Sequence, residues 1–381
     1  MRPVEETGRD GQIGAGDEAE GDARPGTNLP AGTDRIAAHR VRSLLEDGYD
    51  RGYYTAAAAI AGDATTTLVE ETIGQPSPAS RGELSMDTPF DVASLTKPIV
   101  TTTILFRLLE RGLVTVTDEL GDFIPTLEQQ QQGEIPIWRL VTHTSGLKSY
   151  AFSADWNTAQ DVLTSLPGQQ LFDRPIGDGF EYSCLNYVYL AEVLRRVTGK
   201  TLASLATEHV FTPAEMDGSA LGPYEDPDID VVATYDHEFG RGELTNEIHD
   251  PIANTMGGES GNAGLFAPAR DVARYAQAVL GDRNGRTRLL SGPSIDRLST
   301  RRVECDDLAH GYGWRLATDH VPSPLWSARS IGHTGFTGTS LWIDLERERF
   351  ACLLTNAVYT QTQLYRFRQR FHSVVAAAMD G

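Results

Sequence analysis

Strand-like segments stand at the two ends of this 381-residue chain, and helical stretches fill the middle. Tyr53 to Ile60 and Thr65 to Val69 read as two strands joined at Gly62-Asp63 by a tight hairpin turn. The pattern returns only in Gly311 to Leu316, Leu341 to Asp344 and Phe350 to Leu354. Strands this far apart must find each other across the helical middle, so the expectation is an α+β fold whose antiparallel sheet is assembled from both chain ends. An amphipathic helix on Ile36, Val41, Leu44 and Leu45, ending near Gly48, and a last one on Leu364, Phe367, Phe371, Val374 and Val375 would flank it. The expected division is an α/β lobe of about 33–90 and 290–381, with a mostly helical lobe of about 91–289 inserted. Residues 1–32 carry almost no large apolar side chain and read as a disordered acidic tail.

The helical middle opens with Phe90-Asp91-Val92-Ala93-Ser94-Leu95-Thr96-Lys97-Pro98, followed by Val100, Ile104, Leu105, Leu108 and Leu113 at helical spacing. Ser94 and Lys97 are therefore expected in a helix's first turn, on one face, with the amine in reach of the hydroxyl. A serine paired this way becomes nucleophilic without a histidine base. Ser-x-x-Lys alone arises by chance about once in a chain of this length. Here, however, Lys97, Lys148 and Lys200 are the only lysines, which makes the pairing more selective.

Other function classes are disfavoured by composition. The 53 acidic residues against 33 basic ones leave a formal charge of -20, which argues against nucleic acid and against anionic lipid. No apolar run reaches the roughly 18 residues of a membrane helix, and Met1 to Thr33 has neither an apolar core nor a basic start, so the expected location is cytoplasmic. Cys184, Cys305 and Cys352 suggest neither a disulfide framework nor a zinc site. An acidic surface that uses arginine and almost no lysine also resembles, in composition, proteins of salt-loving cytoplasms.

Further stretches deserve weight only together. His143-Thr144-Ser145-Gly146 follows a helix end and reads as a polar turn rather than a catalytic cluster. Tyr182 precedes a helix carrying Leu185, Val188, Tyr189, Val193 and Val197, from where its hydroxyl can enter a cleft. Gly242 to Phe266 is glycine-rich and irregular, as loops shaping a binding site often are. His333-Thr334-Gly335 stands just before the late strand pair, where an edge strand would offer a donor, a hydroxyl and open backbone to an extended substrate.

In this order, Ser94-x-x-Lys97, Tyr182-Ser183 and His333-Thr334-Gly335, with His143-Thr144-Ser145-Gly146 between, resemble the serine hydrolases of the penicillin-recognising superfamily. The similarity covers about residue 34 to the C-terminus. It points to the branch of class C β-lactamases, low-molecular-weight penicillin-binding proteins, D-aminopeptidases and related esterases. The resemblance implies an antiparallel sheet of five or more strands packed by terminal helices, an all-helical second lobe, and a cleft between them. It also implies Ser94 as nucleophile, Lys97 as its partner in proton transfer, Tyr182 as general base or acid, and His333, Thr334 and Gly335 as the substrate-binding strand. The backbone amides of Ser94 and Phe336 would form the oxyanion hole.

Two positions depart from the β-lactamase pattern. Cys184 stands where the motif usually reads Tyr-x-Asn, and a thiol is a weak hydrogen-bonding group. Asn186 would approach from another angle and is not expected to replace it. His333 stands where β-lactamases have lysine, and a largely neutral imidazole offers no fixed cation. Both shift the expectation toward esters and away from lactams. The leading reading is thus a serine hydrolase without metal or cofactor, acting through an acyl-enzyme on Ser94 on a small-molecule or short-peptide substrate. A β-lactamase, a D,D-carboxypeptidase or a D-aminopeptidase-type enzyme is the alternative. A catalytically silent scaffold or binding protein is the reading from another class. An α/β-hydrolase is disfavoured because Gly258-Glu259-Ser260-Gly261 lacks the Gly-x-Ser-x-Gly spacing, and a metallohydrolase because His237-Glu238 lacks a second histidine.

Overall fold

In the computed structural model, which describes residues 33–80, 82–285, 289–305 and 308–380, strands from both chain ends form one antiparallel sheet. The tail expected at 1–32 lies outside the described residues. From edge to edge the sheet runs Thr67–Gly74, Ala56–Asp63, Arg349–Thr355, Ser340–Asp344, Ser330–Thr334, Arg315–Leu316, Leu308–His310 and Val303–Cys305. The N-terminal hairpin is therefore stitched to the C-terminal strands through Ala57 to Asp63 against Arg349 to Thr355.

Ala56–Asp63 is buried on both faces, which explains its unbroken apolar run. Ala56, Ala58 and Ile60 join the main core, while Ala57, Ala59 and Ala61 face the core formed with the terminal helices Thr33–Asp50 and Tyr365–Met379. Small side chains let helices approach this strand closely from either side. The hairpin turn lies later than expected, at residues 64–66, because Asp63 Oδ1 accepts from the amides of Thr65 and Thr66, both at 2.8 Å. The second strand accordingly runs Thr67–Gly74.

Two expectations about the C-terminal half change. Gly311 to Trp314 is a turn rather than strand, with Gly313 at φ +74° and Gly311 N–H bonded to Trp314 O, so only Arg315–Leu316 enters the sheet. The helix Ala269–Arg283, assigned to the helical lobe by the 91–289 boundary, packs instead on strands Ala56–Asp63 and Arg349–Thr355. The sheet thus has helices on both faces. The helical lobe proper is built on Leu185–Thr198, whose stripe Leu185, Val188, Val193 and Leu194 is fully buried and which Gly199 closes in the left-handed conformation.

A three-stranded sheet of Pro89–Asp91, Leu265–Pro268 and Ala220–Leu221 links the lobes and delivers the chain to Ser94. A hairpin of Thr234–Asp236 and Gly242–Leu244 stands beside the cleft. Among the described residues no helix is long and apolar enough to cross a membrane.

Candidate active site

Ser94 does not sit in the first turn of an α-helix as the spacing suggests. Ala93–Leu95 is a 3₁₀ turn, Lys97–Thr102 is π-helical, and regular helix begins only at Thr103. Pro98 contributes no amide, and the Thr102 and Thr103 hydroxyls satisfy the carbonyls of Lys97 and Pro98 at 2.9 and 3.2 Å. Ser94 thus lies in the 3₁₀ turn and Lys97 at the start of the π-helical one, and the two side chains still meet, Nζ to Oγ at 2.9 Å. Leu113, counted in the apolar run, lies past the helix end and is exposed.

The turn is held from outside. Asp91, buried, accepts from Ala93 N at 2.8 Å and from His249 N at 2.9 Å, fixing Ala93 at φ +49° just before Ser94. Thr96 Oγ1 donates to Ala93 O at 2.7 Å and accepts from Leu265 N at 3.1 Å.

Lys97 is 0% exposed, and its Nζ donates to Ser94 Oγ at 2.9 Å, to Asn262 O at 2.8 Å and to Cys184 Sγ at 3.5 Å. Three donors meet three acceptors, the arrangement an ammonium requires. Burial alone would push this amine toward neutrality. Cys184, Tyr182 and Asp250 oppose it, and the net pKa lies above the ordinary lysine value.

Tyr182 completes the group. Its phenol is in polar contact with Ser94 and Lys97, and Lys97 Nζ lies 5.1 Å from its ring centre. Burial raises the phenol's pKa, while the neighbouring ammonium works in the opposite direction. Burial likewise raises the Cys184 thiol's pKa, with the Lys97 ammonium working against that shift.

The expected polar turn has a clear structural task. His143, at φ +57°, accepts through Nδ1 from Ser183 N at 3.0 Å, with Asn186 Nδ2 at 3.2 Å, while its carbonyl accepts from Glu181 N. Its ring lies 4.6 Å from that of Tyr182, centre to centre, so this turn brackets the phenol from behind. Asn186 is committed here too, accepting from Ser145 Oγ at 2.6 Å, and does not substitute for the amide missing at Cys184.

His333, Thr334 and Gly335 end the strand Ser330–Thr334, which is interior to the sheet and not at its edge. Its neighbour Arg315–Leu316 pairs only with Ile331 and Gly332, so the last residues are locally free on the cleft side. The segment is pinned beside the Ser94 turn by Thr337 Oγ1 to Asp91 O at 2.8 Å and Thr339 Oγ1 to Val92 O at 3.1 Å. At Gly335 a β-carbon would meet Val92 O at 2.5 Å, so only glycine permits this approach. Phe336 and Ser94, the expected oxyanion pair, line the same cleft.

Sequence reasoning missed what surrounds His333. His143, His310 and His333 are all buried around Tyr182 and Phe180, with ring centres 5.5 Å apart for His143 and His310 and 6.4 Å for His310 and His333. Burial holds all three imidazoles below their ordinary pKa, His310 down to about 3. His333 Nδ1–H donates to its neighbour's carbonyl, Thr334 O, at 2.9 Å, and the ring carries no charge at neutral pH. Cationic character comes instead from Arg315 and Arg368. Arg368 donates to Gly335 O at 2.8 Å, whereas the Arg315 guanidinium has no hydrogen bond or ion pair among the described residues. The glycine-rich stretch, expected near a site, provides Asn262; no periodicity marked Arg315 or His310.

Among the described residues no group of three His, Cys, Asp or Glu side chains is arranged to hold a metal ion. The cleft is a cavity of about 990 Å³ whose walls include Ser94, Tyr182, Cys184, His333 and Arg315.

The family model described as Beta-lactamase matches residues 35–374. An N-acetylmuramyl-L-alanine amidase of Bacillus subtilis is 26% identical over 308 residues, covering 72% of this chain and 69% of that protein. A putative D-alanyl-D-alanine carboxypeptidase of Salmonella typhimurium is 24% identical over 355 residues, covering 82% and 81%. Among solved structures, EstCE1, a hydrolase with promiscuous acyltransferase activity, superposes with a TM-score of 0.75 at 18% identity, covering 90% of this chain and 99% of that one. A class C beta-lactamase superposes with a TM-score of 0.73 at 15% identity, covering 88% and 96%. Both share the fold.

Proposed function

The chain belongs to the Beta-lactamase family of serine hydrolases, and on that footing we propose that it cleaves ester bonds through an acyl-enzyme on Ser94. The observation that carries this is Lys97 Nζ at 2.9 Å from Ser94 Oγ with the Tyr182 phenol in contact with both. Ser94 Oγ adds to the substrate carbonyl as its proton passes to the Lys97 and Tyr182 pair. One proton removed from that pair leaves either amine with phenol or ammonium with phenolate, and each state has one basic atom beside the hydroxyl. The carbonyl oxygen becomes an oxyanion facing the amides of Ser94 and Phe336. The proton then goes from Tyr182 to the departing alkoxide as the C–O bond breaks, and a water attacks the acyl-enzyme by the same route in reverse.

Cys184 favours esters over amides and lactams. A substrate amide facing a thiol rather than an asparagine forgoes a hydrogen bond whose loss costs about 1 to 3 kcal/mol when the group is buried. An ester presents no such N–H. The test is labelling by a fluorophosphonate and turnover of short p-nitrophenyl esters against a chromogenic cephalosporin. Ester turnover that exceeds lactam turnover and vanishes in Ser94→Ala is expected; label on another residue, or full activity in that variant, defeats the proposal.

A second reading, a peptidase acting on a substrate with a terminal carboxylate, is favoured by one observation. Arg315 is a cleft guanidinium with no acidic partner among the described residues, in a protein whose net charge is -20.

A further inference from the structure

Only three phenylalanines are exposed among the described residues, Phe152 at 39%, Phe239 at 41% and Phe336 at 66%, and they come from three distant parts of the chain. Single exposed apolar side chains are ordinary. These three gather on one rim. Phe239 and Phe336 line the same cavity as Ser94, and the Phe152 ring meets that of Phe239 edge to face at 5.0 Å. Phe152 also packs against Trp156 at 6.1 Å, and Phe336 against His249 at 5.5 Å.

The backbone beneath them is anchored. Phe239 sits in the turn between Thr234–Asp236 and Gly242–Leu244, where Asp236 Oδ1 accepts from Glu238 N at 3.0 Å and Phe239 N at 2.8 Å and Oδ2 pairs with Arg241 at 2.5 Å. His237 Nε2–H donates to Tyr359 O at 3.2 Å, tying the same turn to the sheet lobe. Phe336 follows the strand pinned by Thr337 and Thr339. Rings held out to water by a fixed frame, beside a cavity far larger than an acetyl group needs, lose exposed area only when something apolar enters.

We infer that Phe152, Phe239 and Phe336 form an apolar collar that binds an aliphatic or aryl group of the substrate while the scissile carbonyl reaches Ser94. The inference rests on the serine-hydrolase reading. It adds the chemical class of substrate: esters with a medium-length apolar group. Continuity of the collar with the nucleophile's cavity is what assigns it to substrate and not to a protein partner.

The test uses the full chain and two ester series, p-nitrophenyl esters of lengthening acids and acetate esters of lengthening alcohols. In the wild type kcat/KM rises with length in one series, by up to about fourfold for each added methylene that is buried. Phe152→Ala and Phe239→Ala flatten that rise, and Phe239→Leu restores part of it, with thermal melts confirming folded protein. Flattening in the acid series places the acyl group in the collar, and flattening in the alcohol series places the leaving group there. If hydrolysis depends on Ser94 but neither slope responds to the variants, the collar is overturned. It is equally overturned if the variants abolish self-association in sedimentation and leave the slopes intact. Hydrolysis that survives Ser94→Ala would instead overturn the reading beneath it.

Discussion

Lys97 Nζ is 2.9 Å from Ser94 Oγ and 2.8 Å from the carbonyl oxygen of Asn262, so the glycine-rich loop aims the amine at the Ser94 hydroxyl across a sequence separation of 165. The carbonyl fixes one ammonium proton and Cys184 a second, which leaves the third for Ser94.

The first prediction concerns this lysine. Lys97→Met keeps the side chain's apolar length and removes the charge and the proton carrier. Esterase kcat/KM is expected to fall by about 10² to 10⁴, the usual span for a positioned acid or base. Melting temperature should stay level or rise, because a buried charge is relieved of its desolvation cost. Retained turnover measured with a p-nitrophenyl ester would remove Lys97 from the mechanism.

Cys184 is the next lever. Its thiol stands 3.5 Å from Lys97 Nζ, where a side-chain amide would also reach a substrate amide. Cys184→Asn is expected to raise the ratio of cephalosporin to ester hydrolysis by about tenfold to a hundredfold, the equivalent of roughly 1 to 3 kcal/mol. The measurement is the two kcat/KM values in one preparation. An unchanged ratio would mean that this position does not set the preference.

The motifs were legible because each lies in one short stretch whose chemistry is local. Ser94, Lys97 and Tyr182 meet as expected, and the sheet assembled from both ends follows from short apolar runs at each end of the chain, Ala56–Asp63 and Arg349–Thr355, bounded by turn residues. The conformation around Ser94 was not legible, since a 3₁₀ turn followed by a π-helical turn reads in sequence like an α-helix, and the bonds that hold it run from Asp91 and Thr96 to the distant backbone of His249 and Leu265. Nor was the position of His333: an interior strand and an edge strand read alike in sequence, and what frees its cleft side is the two-residue length of Arg315–Leu316. Arg315 itself looks like any other arginine until its place in the cleft, with no carboxylate beside it among the described residues, can be seen.

Acid stability follows from the buried imidazoles. His143, His310, His333 and His372 are held below the ordinary value by burial, His310 and His372 at about 3. Their folded-state pKa lies under that of the unfolded chain, about 6.5. Between the two the unfolded state binds more protons, so the stability these groups contribute is complete above about pH 6.5 and is lost as pH falls below it, for His310 and His372 down to about 3. Melting temperature should therefore fall steeply below about pH 6. His310→Phe, which keeps a ring beside Phe180 and removes one titrating group, should flatten the fall; an unaltered slope would show that His310 is solvated.

Salt should stabilise the fold. A net charge of -20 repels itself, and raising salt from about 0.1 M to about 1 M shortens the screening length from about 10 to about 3 Å. Exposed pairs such as Arg42 with Glu46 and Arg301 with Glu304 weaken at the same time, but each is worth under about 1 kcal/mol. Repulsion summed over the whole surface outweighs them, so melting temperature is expected to rise through this range. A flat or falling curve would place the balance with the pairs.

Arg315 separates the two substrate readings. Burial lowers its pKa, and Tyr182 and Tyr365, whose ionised forms would oppose that shift, are the other groups acting on it. A guanidinium desolvated without a carboxylate is costly, and a substrate carboxylate would relieve that cost through charge-assisted hydrogen bonds of about 1.5 to 3 kcal/mol. The informative substrates are two esters that differ only in a terminal carboxylate and its methyl ester. In Arg315→Met the carboxylate form should lose about tenfold to a hundredfold more kcat/KM than the neutral form, mainly through KM, with Arg315→Lys recovering part of it. Equal losses for both would assign Arg315 to holding the cleft wall, and would leave neutral apolar esters as the substrates this cleft is shaped to take.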